Sequence, residues 1–449
     1  MSLESDFVTN NKKDMTESFL HYLWKYRMLN PGLAAVSGET ITILYPGDHN
    51  RDGGPDFINA RIRIGETVWA GNVEIHVSGS DWYRHNHQSD NAYDNIILHV
   101  VYNNDVVVTD RRNNPVTTLV VQGSFPVKIF ERYEGLLRNR LWIPCEKLIG
   151  GLDPVHFERW APSLAVERLE EKTGIIRKSW EECRNGWNEA FWRNLARCFG
   201  FKINASPFEM LAETLPLKIL VKHRNSLFQL EALLYGQSGM LAEKFRDPYP
   251  VSLSKEFKFL GKKCSLQPLP GFLWQFLRLR PSNFPTVRIA QLAALIYTYE
   301  DLLGLVLGAD TPGAIHEAFG IRASEYWDDH FMFDRGSVNH PKMLGSSSIN
   351  LLILNFIIPF FFFYGKERGK PVYKEKGMQW LELIEGESNA EIGRLKKLGL
   401  AVDHALHTQA LIQLKSRYCN RKRCLECRLF PWFFNHKGAL RMSQSNTKK

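Results

Sequence analysis

Apolar positions recur every three or four residues over 15–30, "MTESFLHYLWKYRMLN". Phe19, Leu20, Leu23, Trp24 and Met28 fall on one face, which predicts a helix with Thr16 as its N-cap. The period then drops to two. "ETITILYPG" (39–47) alternates like a strand and stops at Pro-Gly, and "DHNRDGGP" (48–55) has turn chemistry. "DFINARIRIG" and "TVWAGNVEIHV" flank Gly65-Glu66 as a hairpin. The polar and aromatic stretch "SDWYRHNHQSDNAYDN" (80–95) predicts a loop running into a short helix. "IILHVVYN" (96–103) reads as a strand buried on both faces, and "PVTTLVVQG" (115–123) as one more strand. From about residue 150 the pattern is helical for roughly two hundred residues, without an internal repeat. The expected class is α+β: helix, three strands, helix or loop, strand, then a largely α-helical region. The expected divisions are 1–125, 126–371 and 372–449, the last helical and ending in clustered cysteines and a polar, disordered tail.

Composition changes this picture in three ways. A chain of 449 residues that is 44% hydrophobic can bury a sizeable core. Its net charge of +9 favours an anionic partner, nucleic acid foremost. The first residues, "MSLESDFVTNNKKDMTES", lack the apolar core of a secretion signal, so the cytoplasm is the expected compartment. The longest apolar stretch, 349–365, is shorter than the ~20 residues of a spanning helix. Asn350, Asn355 and Pro359 interrupt it. A buried core helix ending near Pro359 is expected, and no membrane association.

Candidate chemistry begins at the hairpin. Strand alternation puts Asn72, Glu74 and His76 on one face and Val73, Ile75 and Val77 on the other. Asp56 opens the preceding strand, close enough to meet Glu74. Two converging carboxylates repel unless a shared proton or a cation relieves them. Mg²⁺ or Mn²⁺ suits oxygen ligands, and can turn bound water into a nucleophile while offsetting charge on a phosphoryl oxygen. Phosphodiester cleavage fits the basic chain. In the simpler arrangement Asp56 caps the turn and Glu74 pairs with Arg61 or Arg63 across the hairpin.

Pro55-Asp56, a hairpin, and Glu74-Ile75-His76 in this element order resemble the PD-(D/E)XK nuclease superfamily over roughly residues 15–125. The resemblance implies an αβββαβ core, metal-dependent cleavage of DNA or RNA, and Asp56 and Glu74 as metal ligands. It also implies Glu17, on the first helix, as a further acidic ligand. The chain departs from the pattern at His76, where lysine is usual. A neutral imidazole there serves as base or as direct ligand, which admits softer ions such as Mn²⁺ or Zn²⁺. The departure also admits a catalytically silent nucleic-acid-binding or scaffold protein that keeps the fold. Across most of its length the chain resembles a bacterial protein family with no established activity, in "GPDFINA", "GNVEIH", "DWYRHNHQSDNAYDNIILHVV", "RPSNFPTVRIAQ" and "YCNRKRCLECRLF".

Two further constellations stand out. His85, His87, Asp90, Tyr93 and His99 lie within fifteen residues. His85 and His87 suit a transition metal, and centre an alternative reading as a small-molecule metallohydrolase. Otherwise this segment covers the acidic site, with Trp82, Arg84, His85, His87 and Tyr93 contacting phosphates or bases and His99 hydrogen-bonded inside the sheet. Near the C-terminus, Cys419, Cys424 and Cys427 form a C-x4-C-x2-C run, which points to Zn or an iron–sulfur cluster. Cys145 is the main candidate for fourth ligand, with His436 the other. The run is similar to the iron–sulfur loop of helix-hairpin-helix DNA glycosylases, which implies that Arg421, Lys422 and Arg423 face nucleic acid. The spacing differs from that loop, and its fourth local cysteine is missing. Cys183, Cys198 and Cys264 read as ordinary buried residues. Arg278, Arg280 and Arg288, around an X-Pro turn, suit either phosphate contacts or bridges between helices.

Overall fold

A computed structural model describes residues 15–50 and 52–435. His436 and the tail after it lie outside the described residues. Two compact units emerge. One is the chain up to Leu152 together with the segment from Lys415; the other is Asp153–Leu414. The cysteine run therefore groups with the strands instead of forming a segment of its own after the helices.

In the first unit, helix α1 (Glu17–Lys25) starts where the Thr16 hydroxyl accepts the Phe19 N–H at 3.3 Å, the cap expected from the sequence. Strands β1 (Ile41–Tyr45), β2 (Asp48–His49), β3 (Phe57–Ile64) and β4 (Thr67–Ser78) follow, with the hairpin turning at Gly65. A short helix α2 (Asp81–Arg84) and two 3-10 turns lead to β5 (Ile96–Asn103), then β6 (Thr118–Val120) and helix α3 (Val127–Arg138). The sheet runs β1-β3-β4-β5-β6, with β2 also on β3. β1, β3 and β4 are antiparallel neighbours, whereas β4–β5 and β5–β6 pair in parallel.

The alternation read from the sequence decides which side is core. Val73, Ile75, Leu98 and Val100 point at Phe19, Leu20 and Leu23 of α1 and Phe130 and Tyr133 of α3 in one apolar cluster. Phe19 stacks on Tyr133 at 5.3 Å and meets Phe130 edge-on at 5.1 Å. Trp24 donates to the carbonyl of Pro46 at 2.9 Å, fixing α1 to the end of β1. Glu74, His76 and His99 occupy the opposite face.

Two irregularities shape the site end of the sheet. Asn59, at φ 59°, sits in a bulge of β3 between its pairings at Phe57 and Ala60. Gly71 lies where β4 passes closest to the segment entering β5: a Cβ there would fall 2.4 Å from Ile97 Cγ2 and 2.8 Å from the Asn95 carbonyl oxygen. Only glycine permits that approach.

The second unit is helical apart from one two-stranded ribbon, His330–Met332 with Arg335–Gly336. The apolar stretch forms a helix, but it does not end near Pro359. It runs from Ser346 to Glu367, with a wider π turn at Ile353–Ile357 immediately before the proline. That turn absorbs the missing N–H and the ring that would break a regular helix. The helix is long and apolar enough to cross a bilayer, and 67% of its apolar stretch is buried inside the protein. Arg288 is likewise internal. It donates to Gln291 at 2.9 Å and Ser348 at 2.8 Å, so of the two roles expected for it, bridging between helices is the one observed.

Candidate metal centre

Asp56 precedes β3 and Glu74 lies midway along β4, and the hairpin brings them together. Each carboxylate holds the other's backbone. The Asp56 N–H donates to Glu74 Oε2 at 3.0 Å, and the Ile75 N–H donates to Asp56 Oδ2 at 2.9 Å. One oxygen of each acid is thus tied to the sheet. Histidines crowd that same oxygen of Asp56 and the second oxygen of Glu74. His21 Nε2 lies 3.1 Å from Asp56 Oδ2, while His87 Nε2 and His76 Nε2 lie 3.2 and 3.5 Å from Glu74 Oε1. Arg61 and Arg63 do not pair with Glu74. Both are exposed along β3, and Arg61 instead lies over the ring of Tyr45.

The imidazoles form a cluster of their own. His76 Nδ1 and His99 Nε2 are 2.9 Å apart, and His85 Nδ1 and His76 Nε2 are 3.3 Å apart. One ligand atom from each of His76, His85 and His87 fits within 4.8 Å of the other two. His87 is also stacked on Tyr93 at 3.9 Å, and the Trp82 ring abuts both His87 and His99. Trp82 is itself anchored by donating to the Thr109 carbonyl at 3.2 Å.

Burial sets the charge of this cluster. Glu74 is 5% exposed, His76 1% and His99 0%. Burial, reinforced by neighbouring imidazoles, pushes His76 down to about 2 and His99 down to about 3, so both rings are neutral at physiological pH. Burial holds the Glu74 carboxyl above the ordinary carboxylate range; Asp56 adds to this and His87 opposes it. Glu17, half-buried on the first turn of α1, is raised by burial and then by Asp56. At His21 burial acts to lower the value, but the Asp56 carboxylate outweighs it and the ring is held above its ordinary range.

The contacts are close yet poorly directed. Among the described residues, the buried nitrogens His21 Nε2, His87 Nε2 and His99 Nδ1 make no hydrogen bond of acceptable direction. The first two nevertheless sit 3.1 and 3.2 Å from a carboxylate oxygen. Buried polar atoms that crowd one another without bonding are costly, and a cation accepting their lone pairs removes that cost. Two carboxylates with several imidazoles form a donor set for a divalent transition ion rather than for Mg²⁺, which prefers oxygen and water.

The neutral rings have a measurable consequence. The C2 protons of His76 and His99 are expected to stay at neutral-imidazole positions in NMR titrations down to below pH 5. In the unfolded chain these rings take up protons near the ordinary 6.5. The two rings therefore withdraw stability as pH falls below 6.5, each by up to ~1.4 kcal/mol per pH unit.

A family model described as "Protein of unknown function (DUF2851)" matches residues 17–390. The chain belongs to the DUF2851 family. No curated protein and no solved structure matches it. In this DUF2851 protein the structure gathers Asp56, Glu74, His76, His85, His87, His99 and Tyr93 from the sequence-derived set, with Glu17 in electrostatic reach of Asp56. Arg84 lies apart from the cluster, exposed and paired with Asp81 at 2.9 Å. Cys145, Cys419, Cys424 and Cys427 line one small chamber elsewhere in the same unit. Arg423 is paired with Glu426, and Arg421 is exposed. Sequence reasoning missed His21. The signal was its place one helical turn after Glu17, which puts both on the same face of α1.

Proposed function

We propose that this protein is a divalent-metal-dependent phosphodiester hydrolase acting on DNA or RNA, with Asp56 and Glu74 as the carboxylate ligands of the ion. The observation that carries this reading is the reciprocal hold of the two acids at the mouth of the hairpin, with histidine nitrogens crowding both carboxylates. The order helix, three antiparallel strands, parallel strand, with Pro55-Asp56 and Glu74-Ile75-His76 where a PD-(D/E)XK nuclease carries its motif, supports it. So does the basic chain.

His76 takes a different part from the usual lysine. A ring held neutral down to about 2 is too weak a base to draw a proton from water at neutral pH, where a base works best with a value near the ambient pH. Its chemistry is ligation. His76 and His87 would hold a divalent transition ion such as Mn²⁺ beside Glu74, and Glu17 and His21 would support Asp56 from α1. The ion supplies an activated water and offsets charge on the phosphate. His85, at the exposed rim, would complete the ligand set.

The test uses the full chain with plasmid, single-stranded DNA and RNA, in Mn²⁺, Mg²⁺ or Zn²⁺. Cleavage with Mn²⁺ that EDTA abolishes is the expected result. Binding of these polymers without cleavage under any metal would establish the silent-scaffold alternative instead. The three-histidine set favours one second reading, a metallohydrolase of small molecules. Turnover of a chromogenic phosphodiester without polymer cleavage would select it.

A further inference from the structure

Four cysteines from distant parts of the chain face one apolar chamber. Cys419 ends a π-helical turn (Leu414–Cys419), and Lys422, at φ 52°, turns the chain back on itself. Cys424 and Cys427 follow on a 3-10 turn closed by the Cys427 N–H donating to the Cys424 carbonyl at 3.1 Å. Cys145 enters from the loop after α3. The remaining wall includes Leu136, Pro144, Tyr418 and Phe430, with no carboxylate or imidazole among the lining residues. None of the four is in a disulfide.

The separation of the sulfurs distinguishes the possible occupants. One Zn²⁺ bonded at ~2.3 Å in a tetrahedron draws its four sulfurs to ~3.8 Å from one another. Among the described residues, the set of three or more ligand atoms all within 4.8 Å of each other is the histidine trio; no three of these sulfurs form one. Four thiolates spread around an apolar chamber suit a larger occupant, and Cys₄ ligation in a dry shell is the ordinary arrangement of an iron–sulfur cluster. We propose that Cys145, Cys419, Cys424 and Cys427 are the four ligands of an iron–sulfur cluster. Each thiol gives its proton to solvent as its sulfur binds iron. Ferrous and ferric iron with inorganic sulfide are the co-reactants, and no thiol is oxidised.

The neighbouring basic residues serve this loop. Lys422 donates to the Asn139 carbonyl at 3.2 Å beyond the end of α3, Arg423 pairs with Glu426, and Lys415 lies over Trp142 at 4.7 Å. The loop also packs against α1, with Phe430 edge-on to Tyr22 at 5.1 Å. The cluster thus clasps the C-terminal segment to the helix that carries Glu17 and His21.

The test is iron, sulfide and zinc content of the full-length protein purified without oxygen, before and after reconstitution with iron and sulfide. Iron and sulfide in equal amounts, about two or about four per chain, with visible charge-transfer absorption, is the expected result. About one zinc per chain, or neither iron nor sulfide after reconstitution, overturns the proposal. Cys145→Ala should lose most of the iron while Cys264→Ala keeps it; unchanged iron in Cys145→Ala removes that residue from the ligand set and overturns the four-cysteine assignment. If Cys145→Ala does not fold, the wild-type count decides. The result is independent of whether the chain cleaves phosphodiesters.

Discussion

Asp56→Asn is expected to abolish metal-dependent cleavage while leaving the fold intact. Asparagine keeps a side-chain oxygen to accept the Ile75 N–H, so the closure of the hairpin survives. What it removes is the negative charge that the cation and His21 share. The loss should exceed the roughly 10–100-fold that follows removal of a group merely supporting a metal ligand. Cleavage assays alongside urea unfolding separate the two roles. If Asp56 only closes the turn, the variant will cleave like the parent.

Glu74→Gln should separate function from stability in the same site. Glutamine can still accept the Asp56 N–H, while the buried charge is gone. Burying a carboxylate among groups that do not hydrogen-bond well to it is unfavourable, so the metal-free variant should be as stable as the parent or more so by ~1–2 kcal/mol. The sign follows from the raised Glu74 carboxyl. A raised value means that stability present at acid pH is lost as pH rises through the folded-state titration, so the advantage of the variant grows toward neutral and alkaline pH. Saturating Mn²⁺ should reverse the order. At a hundredfold excess over Kd a ligand stabilises the parent by about 2.7 kcal/mol, and Glu74→Gln should gain little of this. Thermal unfolding with and without Mn²⁺ measures both. An equal gain in both proteins would mean that the ion binds elsewhere.

The legible part of this architecture was the part governed by short-range pattern. Period two through 57–78 located the hairpin, and alternation separated Val73 and Ile75 from Glu74 and His76, because a strand leaves side chains no other choice of face. The acid pair could be inferred, since a carboxylate opening one strand of a hairpin meets the next strand. The ligand character of the site was only partly legible. His85 and His87 sit in a loop whose path depends on Trp82 anchoring to Thr109 and Tyr93 stacking on His87, contacts with no periodic signature. His21 went unrecognised because its face of α1 is defined by Asp56, a residue from another element. Pro359 misled for a local reason: its usual helix-breaking effect is absorbed by a π turn that hydrophobic pattern does not encode. The meeting of Cys145 with the C-terminal run was anticipated from ligand count, and its spacing became readable only with the chamber described.

Everything proposed for the acidic site depends on a cation sitting between the hairpin acids and the imidazoles. Anomalous X-ray diffraction from crystals soaked in Mn²⁺ tests this most directly. The account predicts a strong peak at coordination distance from Asp56, Glu74 and at least one of His76 and His87. Manganese bound only elsewhere, with the two carboxylates still holding each other's backbone and no density between them, would contradict it.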